Sequence, residues 1–471
     1  MAGARWKKLQ TYFGTQDMTV DSPLRVLIRF STPLLIGNLA QQLYNTVDSI
    51  IVGKYVGDTA LAAVGTSFPI LNLMLVLFMG IATGASILSA QFFGARLRQD
   101  LSRLAGSTIF LTISSGVLMS IVGVLLTPVL IRMVNPPEAV AEGAIIYLQI
   151  VFAGMLGSAA YNILSGVLRG MGDSFYPLVF LVAASLLNIV LDLLFVRNFG
   201  MGVAGVAWAT ILAMFLSGAL CFLRLIRLKQ VVDINRETLR PDWKLIRKLC
   251  MLGLPAGVTS AIYSMSAIIV QNLTNAMGEV MIAASVAVMK VDGFAMMPNF
   301  TFGTAATTYV GQNLGAGKID RIQSGTKSML KLALAVSSVL VACILLFGRS
   351  LIGMFTDTDM VITLGDRGLK WLAFGYICFA VTQVLQGVMR GLGETVRPMW
   401  ISIISTVILR MPLAYLLVRL TTSQDWPQGH PDSIFSSLLV SWVLGMAMTL
   451  FVYYTGKWRK RIGFIRERGK T

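Results

Sequence analysis

The sequence predicts an all-α integral membrane protein with twelve transmembrane helices, arranged as two six-helix lobes related by a pseudo-two-fold axis along the membrane normal. Three observations lead there. Hydrophobic residues make up 55% of the chain and charged residues 13%, with a mean hydropathy of +0.74, outside the range of soluble globular domains. Apolar runs long enough to cross a bilayer recur along the whole length, without the alternation that a membrane barrel requires. Finally, "GVLRGMG" from Gly166 recurs as "GVMRGLG" from Gly387, and this offset of 221 residues also relates Pro177 to Pro398, Gln91 to Gln312 and Gly94-Ala95 to Gly315-Ala316.

A helix satisfies its own backbone hydrogen bonds in lipid, so each apolar run reads as one helix. In order these are 26–55, 59–91, 104–133, 139–168, 176–198, 202–228, 247–277, 281–313, 325–355, 362–389, 397–420 and 433–456. Several exceed the twenty or so residues needed to span the core, which implies tilt or bending. Pro33, Pro69, Pro255 and Pro298 fall inside predicted helices, where each removes a backbone hydrogen bond. Six helices per half is an even number, so both halves enter from the same side, which sets the axis along the normal. The expected organisation is an N-terminal lobe, 1–228, a charged cytoplasmic linker, 229–246, a C-terminal lobe, 247–456, and a basic tail, 457–471.

The net charge of +17 is distributed in short segments between apolar runs: Arg5–Lys8, Arg96–Arg103, Arg224–Lys248, Lys318–Lys331 and Lys457–Lys470. That pattern sets membrane orientation rather than nucleic-acid binding, and it puts both termini in the cytoplasm. The polar opening residues lack the apolar core of a signal peptide. Cys221, Cys250, Cys343 and Cys378 are scattered singly, as reduced packing residues are, and His430 has no partner in sequence that would make it catalytic.

The run from Leu178 to Val196 carries an amide, Asn188, and an acid, Asp192, one helical turn apart in otherwise hydrocarbon sequence. On the first helix Asn38, Gln41, Asn45 and Asp48 follow at steps of three, four and three, which places them on one face. A polar stripe ending in an acid is costly against lipid, so it faces a cavity or another helix. Asp192 lies about 22 Å along its helix from Pro177, Asp48 equally late on a helix of the same sense, and Thr210 about 12 Å down the returning sixth helix. Asp48, Asn188, Asp192 and Thr210 therefore reach similar depths. Two lobes around an axis imply a cavity and alternating access by rocking.

With these residues in view, the chain resembles the multidrug and toxic compound extrusion (MATE) family along essentially its whole length. The resemblance is carried by "TPLLIGNLAQQLYNTVDSIIVG" at 32–53, the paired "GVLRGMGDSFYP" and "GVMRGLGETVRP", and "TTYVGQNLGAGKIDR" at 307–321. It implies antiport: a secondary active exporter of organic, often cationic or amphipathic compounds in exchange for H⁺ or Na⁺, with no cofactor, working as a monomer in a prokaryotic cytoplasmic membrane. Matching the DinF-like branch residue by residue implies that Asp48, Asn188, Asp192 and Thr210 hold the coupling ion. The chain departs from the NorM-like branch, because its seventh helix carries no acid.

The C-terminal lobe has charges of its own: Lys290 and Asp292 mid-way along the eighth helix and Arg410 inside the eleventh. Residues two apart face differently, so Asp292 is expected to pair with Arg410 while Lys290 faces the cavity. Substrate contacts are expected from Asn38, Gln41, Tyr44, Asn45, Tyr161 and Tyr263, and from flexible methionines such as Met265 and Met289. The acids after the repeated glycines, in "GMGD" and "GLGE", are candidates to neutralise Arg169 and Arg390. The rival within transport is a lipid-linked-precursor flippase of the same superfamily, which Lys290 and Arg410 keep in view. An intramembrane enzyme ranks below both, since no convergent acid, base or metal set appears. "GQNLGAGKID" is no phosphate loop: Gln312 replaces its first glycine, and Ile319 stands where Ser or Thr must follow the lysine.

Overall fold

The computed structural model describes residues 14–134, 136–424 and 426–456; the basic segment Arg5–Lys8 and the tail 457–471 lie outside the described residues. Twelve helical segments follow the predicted order: α1 Pro23–Tyr55, α2 Asp58–Gly94, α3 Arg98–Val134, α4 Glu138–Ala153 with Met155–Gly170, α5 Phe175–Asp192, α6 Gly202–Arg227, α7 Trp243–Ala276, α8 Glu279–Gly315, α9 Ile319–Gly353, α10 Asp359–Gly391, α11 Val396–Ile403 with Arg410–Leu420, and α12 Asp432–Thr455. Helices α3 and α9 start several residues earlier than their apolar runs, because their polar first turns carry Arg98 and Asp100, or Asp320, outside the apolar stretch.

Among the described residues, ten helices are long and apolar enough to cross a membrane, and an eleventh is added if the two halves of α4 form one span. The expected twelfth, α1, falls short by composition, since Asn38, Gln41, Gln42, Asn45 and Asp48 interrupt its apolar run. Three further departures concern continuity. α4 is not one straight helix: its halves meet at Gly154 with a bend of 52°. Glycine holds a helix weakly, and here a Cβ would collide with the Ile211 side chain of α6. α5 passes into a π-helical turn, Leu193–Asn198, directly after Asp192, and a second such turn, Ile404–Leu409, joins the halves of α11. Hydropathy carries no signal for either.

The duplication extends to backbone detail. Asp58–Gly94 and Glu279–Gly315 keep the 221-residue offset (58 to 279) at both ends, as do Glu138–Gly170 and Asp359–Gly391. Paired turns share left-handed backbone: φ is 84° at Gly172 and 82° at Gly393, and 57° at Arg96 where its counterpart Gly317 has 68°. The repeated motif also sets close helix packing. A Cβ on Gly166 or Gly170 would strike the carbonyls of Ala82 or Ser86 on α2; on Gly387 or Gly391 it would strike those of Gly303 or Thr307 on α8. Small residues four apart let membrane helices approach backbone to backbone.

The acids of these turns bond elsewhere than expected. Asp173 accepts from Arg224 Nη2 at 2.9 Å and Nε at 3.0 Å, with the guanidinium 3.7 Å above the Tyr176 ring, and Glu394 pairs with Arg397 at 3.9 Å. Neither neutralises Arg169 or Arg390.

The chain divides into two compact units. One holds the described residues through Val20 and Ile28–Gly257, the other Asp21–Leu27 and the described residues from Val258 onward. The division thus falls inside α7 just past Pro255 rather than at the linker. The first turns of α7 pack on α2, where Cβ atoms on Gly80, Gly84 or Gly253 would meet opposing backbone.

Gly172→Ala would add a Cβ against the Gln16 carbonyl to an unfavourable φ, whereas Gly317→Ala meets nothing within 4 Å and carries backbone strain alone, about 1 kcal/mol. Thermal melting of the purified protein is expected to show a clearly larger loss for the first; equal losses would contradict the packing of Gln16 on this turn. Asp173→Leu leaves the partly buried Arg224 without its carboxylate, at an expected cost of about 3 kcal/mol in the same assay.

Candidate functional site

In the first unit, α1, α5 and α6 bring together the four residues whose types and depths mark them in the sequence. Asn188 and Asp192 are fully buried, one turn apart on α5, and Asp48 of α1 is buried opposite. The two carboxyl groups lie within hydrogen-bonding reach of each other. With its amide oriented to match its neighbours, Asn188 donates from Nδ2 to Asp192 Oδ2 at 3.0 Å and accepts at Oδ1 from the Thr210 backbone N–H at 3.2 Å. The Thr210 hydroxyl donates to Val206 O at 3.0 Å, and the Tyr44 hydroxyl reaches Thr210.

Two oxygens are left over. Asp48 Oδ1 and Asp192 Oδ1 are buried without a hydrogen-bond partner. A buried carboxylate oxygen that accepts nothing is costly, and two in contact repel as well. Val52, Val196 and Val206, each four residues from Asp48, Asp192 or Thr210, join Val64, Tyr147 and Val151 in an apolar cluster. The π-helical turn begins at the residue after Asp192, a place where such turns often mark function. Among the described residues no group of three or more His, Cys, Asp or Glu suited to a metal forms, here or elsewhere.

Tyr147 of α4 is a neighbour of Asp48, Asp192 and Tyr44 that sequence reasoning missed. A single tyrosine in "AIIYLQIVF" has no periodic signal to distinguish it from core filler. The stripe on α1 changes along its length: Asn38 and Gln41 are exposed, Asn45 is half-buried and Asp48 is buried. Only its last turn enters the acid site. Tyr161 lies apart, its hydroxyl 3.5 Å from Pro177 O.

The second unit contains a cavity of about 240 Å³. Tyr263, Met289, Asp292 and Arg410 line it; Lys290 and Met265 do not, and both are exposed. The expected ion pair between Asp292 and Arg410 is absent: no nitrogen-to-oxygen contact within 4.0 Å joins these two described residues. Arg410 Nη1 donates instead to Ser266 Oγ at 3.0 Å, while Asp292 Oδ1 and Arg410 Nε are buried without partners. Tyr376 lies beside Asp292, yet its hydroxyl completes no hydrogen bond.

The MatE family model matches residues 33–194 and again 255–416, once in each half of the duplication. Among curated relatives, the probable multidrug resistance protein YpnP of Bacillus subtilis is 30% identical over 447 residues, covering 94% of this chain and 97% of its own length. The probable multidrug resistance protein YoeA of the same organism is 28% identical over 457 residues, covering 95% and 96%. Among solved structures, the outward-facing conformation of a multidrug resistance MATE family transporter of the MOP superfamily aligns with a TM-score of 0.86 at 25% identity, over 96% of this chain and 99% of the other. A family model matched twice, across a helical scaffold shared end to end, leaves one assignment: the chain belongs to the MatE family of membrane transporters and is not an enzyme.

Proposed function

We propose that this protein is a secondary active exporter of amphipathic organic compounds, and that the contact between Asp48 and Asp192 holds its coupling cation. The observation that carries the reading is the pair of buried carboxyl groups in mutual reach, each with an oxygen that accepts no hydrogen bond. The names of the relatives supply the direction: both are designated probable multidrug resistance proteins.

Two carboxylates at this distance in an apolar setting repel unless a cation is held between them. A shared proton fits the arrangement most directly, since it needs only the two free oxygens. Na⁺ is the second choice, because it needs further oxygen ligands: the Asn188 amide oxygen keeps one lone pair beyond the Thr210 N–H, and the Thr210 hydroxyl, which donates to Val206 O, keeps its own. Asn188 holds Asp192 by its amide, so the acid that moves on loss of the cation is Asp48, and α1 moves with it. Release of the proton then favours one conformation of the lobe and capture favours the other. Export follows when the cargo prefers the deprotonated state, since only a difference in affinity shifts an equilibrium. By the positive-inside rule the turns carrying Arg96–Arg103 and Lys318–Lys331 face the cytoplasm, which gives the cycle its direction across a bacterial cell membrane.

Asp48→Asn and Asp192→Asn are each expected to lower gradient-driven dye efflux from proteoliposomes at least tenfold, about 1.4 kcal/mol or more, with normal amounts of folded protein. Efflux close to wild type in both variants contradicts the reading. Under separately imposed gradients, an inward proton gradient is expected to drive efflux and a sodium gradient to leave it unchanged. Asn188→Leu, which frees Asp192, is expected to reduce efflux less than loss of either acid.

A further inference from the structure

The cavity of the second unit has features that the coupling scheme does not use. Asp292 and Arg410 carry opposite charges, line one chamber, and do not satisfy each other. Ser285, also on the wall, has a buried hydroxyl without a partner. Asp292 Oδ1, Arg410 Nε and Ser285 Oγ are each buried without a partner, which is costly, and their residues all line the one void. The rest of the wall is aromatic: the Phe379 ring centroid lies 5.5 Å from that of Phe300, 5.6 Å from Trp442 and 6.5 Å from Tyr263. Met289 and Met296 supply adaptable surface beside these rings.

Size and charge together narrow the occupant. A void of about 240 Å³ exceeds the roughly 150 Å³ that benzene fills, so it admits a frame of one or two rings with short arms. A simple organic cation would satisfy Asp292 and leave the Arg410 guanidinium facing it; a simple anion would do the reverse. Either leaves a buried charge without a partner.

We propose that this cavity is a second organic-ligand site, built for a compact aromatic zwitterion. Its ammonium group meets Asp292, its carboxylate meets Arg410, and its ring stacks among Phe300, Phe379 and Trp442. The site deepens the exporter reading by naming a class of cargo, and it shares no residue with the acid pair of the first unit. Lys290, which lies outside the chamber, plays no part in it.

Equilibrium binding to the purified full-length protein, with no gradient imposed, tests the proposal apart from ion coupling. Three probes of one shape separate the charges: L-tryptophan with both, tryptamine with the ammonium alone, and indole-3-propionate with the carboxylate alone. Tryptophan is expected to bind at least about tenfold more tightly than either analogue. Arg410→Gln is expected to erase its advantage over tryptamine, and Asp292→Asn its advantage over indole-3-propionate. Ser285→Phe, which adds a ring to the chamber wall and keeps both charged residues, is expected to lose tryptophan binding while Asp48→Asn retains it. Equal affinity for the three probes, or wild-type tryptophan binding by Ser285→Phe, overturns the proposal. Loss of coupled efflux in Asp48→Asn with tryptophan binding intact would leave this site standing by itself.

Discussion

Two buried carboxyl groups in reach of each other, beside an apolar cluster rich in valine, form the constraint on which the proposed function turns. Burial makes each charge costly and proximity makes the pair more so, and the surroundings relieve neither: one oxygen of each acid accepts nothing. Asn188 is tied both to Asp192 and to the α6 backbone. In the proposed cycle the response to a change of charge falls on α1, whose polar stripe passes from exposed to buried within three turns. In the proposed cycle this helix converts a protonation event into movement.

The duplication repeats one scaffold around two different sets of buried polar residues. The ends of α2 and α8 and of α4 and α10, the left-handed turns and the glycine contacts repeat at a single offset, while the polar residues of the two candidate sites do not. At the positions of Asn188 and Asp192, α11 has Leu409 and Leu413; where Asp292 and Arg410 stand in the second half, the first has Leu71 and Ile189. Each half keeps the packing and places its charges where the other is apolar. The two tasks proposed, cation exchange in one unit and ligand capture in the other, accord with that division.

Most of the scaffold was legible in the sequence because hydropathy and an exact repeat report long helices directly. What escaped notice depends on contacts between helices. At the break, Ile211 occupies the space a Cβ on Gly154 would take, and the π-helical turns at Leu193 and Ile404 insert a residue that no apolar pattern records. At the acid site, residue type and depth along the helix were enough to group Asp48, Asn188, Asp192 and Thr210, since misplaced polar residues are conspicuous in hydrocarbon. Tyr147 was invisible for the opposite reason, being an ordinary aromatic on an apolar helix. The reading of Asp292 and Arg410 as an ion pair followed from charge alone; Ser266 competes for the guanidinium, a neighbour that spacing cannot reveal. Likewise Arg224, 51 residues away in sequence, claims Asp173 from the nearby Arg169.

The central claim is that Asp48 and Asp192 together hold one exchangeable cation. Infrared difference spectroscopy of the purified protein, titrated with acid in the absence of sodium, tests it most directly. The account predicts a protonated-carboxyl band that appears on acidification and is altered or lost in both Asp48→Asn and Asp192→Asn. A band left unchanged by both substitutions, or no carboxyl band that follows pH, would contradict it.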